Sequence, residues 1–120
     1  MNSSGFLFDE HVPSAIVAFL RQSNPEIPVY IIGQAPAPRK GVLDPDILNW
    51  IEANNCYLIT NNRASMPVHL QDHLVLGKHV PGIIQLPRTI HMTSLIEDLI
   101  LLWSVSVPDE FRDQIVYLPL

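Results

Sequence analysis

The sequence predicts an α/β domain: a mostly parallel sheet flanked by helices, three layers in all. Two observations carry this. Short apolar, β-branched runs alternate along the chain with stretches whose apolar residues recur at helical spacing. The strand runs are apolar throughout instead of alternating with polar residues, as expected of strands covered on both faces. A length of 120 residues suits one domain, 1–120, able to bury a core without disulfides.

Each element has a local cause. Phe6-Leu7-Phe8 is the first strand, and it ends abruptly in Asp9-Glu10-His11. Pro13 fits a first helical turn, where a missing N–H costs nothing. Val12, Ile16, Phe19 and Leu20 mark an inward face that runs to about Ser23, and Asn24-Pro25 stops the helix. Val29 to Ile32 is the second strand, closed by Gly33. A Pro-rich exposed loop follows, tipped by Arg39-Lys40, a solvated pair that could also steer a phosphate. Asp44 is a natural N-cap for the second helix, with Pro45 at the first helical position and Asp46 at the positive end of the dipole. Tyr57 to Thr60 is the third strand, ending in Asn61-Asn62-Arg63.

Pro67 to Leu76 is the third helix, with Leu70 and Leu74 inward and Gly77 closing it. Gly82 to Leu86 is the fourth strand. Ser94 with Glu97 suggests a capping box for the last helix, which is apolar nearly all round and so expected to be well buried. Pro108 breaks it. Ile115 to Leu118 reads as a short last strand at a sheet edge. No internal repeat or low-complexity tract is present.

Composition narrows the function classes. A net charge of −5 argues against a broad basic surface for non-specific nucleic-acid binding, although an acidic metal site with local cations can still hold a phosphate backbone. Cys56 stands alone in an apolar context, as an inert core thiol in a reducing cytosol does. No basic-then-apolar start marks a signal peptide, and His91, Glu97 and Asp98 interrupt the greasiest segment, so no membrane span is expected. The expected location is the cytoplasm.

Three constellations could carry chemistry. The first is Asp9, Asp44 and Asn62, with Glu10 and Asp46 as neighbours. Ligands bind at the carboxyl ends of parallel strands, and clustered oxygens there suit Mg²⁺ or Mn²⁺. Adjacent acids at a core edge need a cation, a proton or a basic partner; helix capping by Asp9, Glu10 or His11 is the plainer explanation. The second is His69, Asp72, His73 and His79. Histidines four apart share a helix face and could bind zinc, but the Glu of a helical zinc-protease motif is absent. A phosphate-contacting role for His69 or His73 beside Arg63 fits better. The third, nucleophilic catalysis by Cys56 or Ser65, lacks a supporting elbow or base.

Phe6 to Pro13, then Asp44-x-x-Ile47-Leu48, then Leu58-Ile59-Thr60-x-Asn62-Arg63, resemble the three signature blocks of small PIN-like proteins. These are relatives of the VapC-type toxin ribonucleases and of a family with an Asp-Glu-Asn-Leu-Pro opening. The resemblance covers about the first two-thirds of the chain. It implies a parallel α/β fold, a carboxylate rim holding Mg²⁺ or Mn²⁺, RNA cleavage within a toxin–antitoxin pair, and dimers. Asp9 matches the acid ending the first strand, Asp44 the acid opening the second helix, and Thr60 the Thr of a Thr-x-Asp block. Asn62 stands where that block has Asp, which removes one negative charge.

The expectation is a metal-dependent ribonuclease, the toxin-like member of a pair with an antitoxin protein. Asp9 and Asp44 hold the metal, Asn62 positions it or its water, Thr60 supports Asn62, and Glu10 and Asp46 are secondary acids. Arg63 with His69 or His73 contacts the phosphate. The alternative is a catalytically weakened PIN-like binding module.

Overall fold

Strands and helices alternate without exception through residues 5–120, the part of the chain that the computed structural model describes. The extreme N-terminus, read above for a signal peptide, lies partly outside these residues. The elements are β1 (Gly5–Phe8), α1 (Ser14–Ser23), β2 (Val29–Ile31), α2 (Asp44–Asn54), β3 (Cys56–Thr60), α3 (Met66–Val75), β4 (Ile83–Gln85), α4 (Met92–Val105) and β5 (Ile115–Tyr117). All strand pairs are parallel, in the order β2-β1-β3-β4-β5. β1 and β3 are fully buried, which explains why their sequences carry no polar alternation.

Side chains on successive strand positions point to opposite faces, and two cores result. Phe6, Phe8, Tyr57, Ile59 and Ile84 meet α1 and α4 on one side. Leu7, Leu58 and Ile83 meet α2 and α3 on the other. β2 adds on one flank of β1 and β3 on the other, so the loops after β1 and β3 leave toward opposite layers. That divergence opens a crevice at the carboxyl ends of these two strands, where ligands of such sheets bind. No helix among the described residues is long and apolar enough to cross a membrane.

Several local expectations are corrected. Phe19 is 41% exposed, and Val17 takes the inward position instead. α1 starts at Ser14, so Pro13 is the flanking residue and not part of the first turn. Leu43 is the N-cap of α2 and Asp44 its first residue, with no side-chain capping bond. Ser94 lies inside α4, whose N-cap is His91, and no capping box forms. α4 buries one face only: Leu95, Ile96, Leu99 and Leu102 are inside, while Leu101 and Val105 face solvent. Its all-round apolar pattern conceals which side the sheet takes.

Candidate active site

Asp9 follows the last residue of β1, with its backbone N–H bonded across to the Ile59 carbonyl of β3 at 3.0 Å. The side chain is 7% exposed. Its Oδ1 accepts the Glu10 backbone N–H at 2.7 Å, and its Oδ2 accepts the Thr60 hydroxyl at 3.0 Å. Thr60, fully buried at the end of β3, in turn accepts the Asn62 backbone N–H at 3.0 Å. One hydroxyl thus fixes the acid of one strand and the turn leaving the next.

Asn62 continues the chain of bonds. Its Nδ2 donates to Asp44 Oδ2 at 3.3 Å and to Ser65 Oγ at 2.9 Å. The Ser65 backbone N–H and hydroxyl each donate to Asn62 Oδ1 at 3.2 Å. The amide is thereby held with its NH₂ end toward Asp44 and its carbonyl toward Ser65. His69 Nε2, one turn into α3, lies 3.2 Å from the same Asp44 Oδ2. Asp44 therefore accepts a hydrogen bond from Asn62 and has the His69 ring close by, both from the β3–α3 segment.

The remaining predicted residues divide. Glu10 stands beside Asp9, and its Oε1 accepts the Gly41 backbone N–H at 3.2 Å, pinning the Pro-rich loop back onto the sheet edge. Arg63 Nη2 donates to the Leu86 carbonyl at 2.8 Å, across the gap between β3 and β4. Asp46 is exposed in the first turn of α2 and makes no hydrogen bond to the rim among the described residues. His73 does not join His69. It is buried, and its Nε2 lies 3.0 Å from both Glu52 Oε1 and the His79 carbonyl, so its N–H is shared between them. His79 Nδ1 bonds Asp113 Oδ2 at 2.7 Å. The three histidines thus serve three different carboxylates, and a phosphate-contacting role for His73 falls away with its burial.

Two concave regions flank the start of α1. A cleft of about 570 Å³ includes Pro13, Asn62, Arg63, Leu86 and Arg88 in its walls. A second, of about 300 Å³, lies at the ends of β1 and β2 and is walled in part by Phe8, Asp9, Glu10, Ile31, Gln34 and Lys40. Sequence reasoning missed Ser65 as the clamp of Asn62, and Arg88 as a second guanidinium at the first cleft. A Ser three residues after Asn is the only signal that could have found the clamp. No family model, curated protein or solved structure matches the chain. The parallel five-stranded α/β architecture therefore stands on its own geometry.

The donor set can be tested against a metal. Among the described residues no three His, Cys, Asp or Glu side chains form a group able to hold one. The rim supplies two carboxylates, Asp9 and Asp44, and each Asp9 oxygen carries one hydrogen bond and keeps lone-pair capacity. Mg²⁺ takes one or two carboxylates and retains several waters, and Asp9 and Asp44 are the carboxylates that would hold such an ion here. Zinc does not fit, because His69 and His73 are spent on separate partners. Cys56 is no nucleophile: burial pushes its thiol up to about 11, against a smaller lowering by the Gly5 backbone.

Proposed function

We propose that this chain is a PIN-like, Mg²⁺- or Mn²⁺-dependent ribonuclease, with Asp9 and Asp44 as the metal-holding acids. One observation supports it above the others: residues 9, 44 and 62, distant in sequence, meet in one continuous run of hydrogen bonds through Thr60. When bound, the ion supplies an acidified water and a counter-charge for the phosphodiester. The chain's own groups do the rest. Thr60 orients Asp9, and Asn62 with His69 orients Asp44. Arg63 spends one N–H on Leu86 and keeps others of its five for a phosphate, with Arg88 across the same cleft. These guanidiniums give a chain of net charge −5 local positive charge where the substrate backbone would lie. The toxin-like role, an antitoxin partner, a homo-dimer and a cytoplasmic setting rest on the sequence resemblance and belong to the same proposal. Asp9→Ala is expected to abolish Mn²⁺-dependent cleavage of single-stranded RNA while the protein still melts cooperatively. Cleavage that persists in this variant, or in excess EDTA, removes the proposal.

A second reading has its own support. The Asn62 NH₂ group donates to Asp44 where an acid would have called for a cation, and the His69 ring lies 3.2 Å from the same oxygen. A rim neutralised by its own side chains suits a non-catalytic PIN-like module. Calorimetric titration separates the two: Mn²⁺ binding that is lost in Asp9→Ala favours the nuclease, and heat-silent titrations favour the module.

A further inference from the structure

We propose that the 300 Å³ cavity at the ends of β1 and β2 is a guanine-binding pocket that selects the nucleotide presented to the rim. This rests on the ribonuclease proposal for its role, though not for its chemistry. The cavity volume is at the small end of ligand sites, which begin at about 300 Å³, and suits a single ring system. Ile31 is the half-exposed apolar part of its lining, over which a flat heterocycle can lie, and Phe8, Val12 and Val17 back it from the core.

The polar groups in its lining are of two opposite kinds. Glu10, beside the nearly buried Asp9, brings a carboxylate, which only accepts hydrogen bonds. Lys40 presents an ammonium, which only donates. No carboxylate pairs with Lys40 among the described residues, although both acids line the same cavity. Its stem passes over Gly33: a Cβ built there would sit 2.9 Å from Lys40 Cγ. The Glu10 head is fixed by the Gly41 amide on Oε1, which leaves lone pairs on both oxygens.

A ligand edge complementary to this lining needs two neighbouring donors for a carboxylate and an adjoining acceptor for an ammonium. Guanine offers that sequence on its Watson–Crick edge: the N2 amine and N1–H donate, and O6 accepts. Adenine and cytosine each offer one donor group beside an acceptor, and uracil one donor between two acceptors. A carboxylate facing those edges meets a lone pair where it needs a proton. Charge-assisted bonds of both signs then favour guanine.

The test is titration of the full chain with the 5′-monophosphates of guanosine, adenosine, cytidine and uridine, without metal, followed by NMR. GMP is expected to bind about tenfold more tightly than the other three. Lys40→Met and Glu10→Gln should each weaken GMP about tenfold, with the Glu10→Gln loss confined to guanine. Equal affinities for all four nucleotides, or GMP binding indifferent to both substitutions, overturn the pocket assignment. Mn²⁺ titration of the same samples reports on the rim separately: absent GMP binding beside intact Mn²⁺ binding sinks the guanine pocket alone.

Discussion

Thr60 has the most consequential side chain at the rim, because its single hydroxyl donates to Asp9 and accepts from Asn62. Thr60→Val keeps the shape and removes both bonds, leaving buried polar partners unmet. A loss of about 1–3 kcal/mol in urea unfolding is expected, with Thr60→Ser close to wild type. Asn62→Asp probes the charge balance instead. It replaces a donor 3.3 Å from Asp44 Oδ2 with a second carboxylate, and two adjacent carboxylates repel unless a cation lies between them. The variant should melt below wild type in EDTA and gain more from Mn²⁺ than wild type does; no Mn²⁺ shift in either protein would deny the rim any affinity for cations. Asp9, Asp44 and Asn62 were legible in the sequence because each ends or opens an element, and a parallel topology sends such ends to one edge. The Ser65 clamp and Arg88 were not, because their contacts depend on the path of loops that no periodicity encodes.

At the scale of elements, α2 is held at both ends by different means. Its start is bonded to the β3–α3 segment through Asp44, and near its far end Glu52 takes His73 Nε2 and the His79 backbone N–H. His79 then passes the connection to Asp113, just before β5, which also accepts the Val80 backbone N–H at 2.9 Å. Desolvation on its own pushes the Asp113 carboxyl up; the His79 and Val80 hydrogen bonds and the charges of His79 and Arg112 outweigh it and hold it below 3.8. A carboxyl with a depressed folded value stabilises the fold above its unfolded value and loses that contribution as pH falls through the folded one. Asp113→Asn is therefore expected to lower the melting temperature near neutral pH, with the gap from wild type closing below about pH 4. Asn suits this position, since the backbone there is left-handed at φ 64° and Asn tolerates that region. A gap that stays constant down to acid pH would show the carboxylate contributes nothing to holding β5. Helix order and type were legible from spacing alone, but the partners of His73 and His79 were not. Two histidines one turn apart share a helix face, yet the carboxylates they meet sit at opposite ends of another helix.

Across the whole molecule, the sheet order decides where the chemistry can be. β1 and β3 are central, buried on both faces, and carry Asp9 and Thr60 at their adjacent ends. The sequence implied this placement through its uninterrupted apolar runs. It could not indicate that β5 would join in parallel beside β4, or that α4 would leave Leu101 and Val105 in solvent, since a three-residue strand and an evenly apolar helix carry no directional signal. The Asp9 amide, bonded to Ile59 across these two innermost strands, has a consequence for motion. A proton there can trade with solvent deuterium only when the centre of the fold comes apart, so its protection should approach the free energy of complete unfolding. The loop that carries Lys40, hung on a few bonds at the periphery, should exchange far sooner. The acids of the rim then form a fixed anvil, and the loop beside it is the part free to give way.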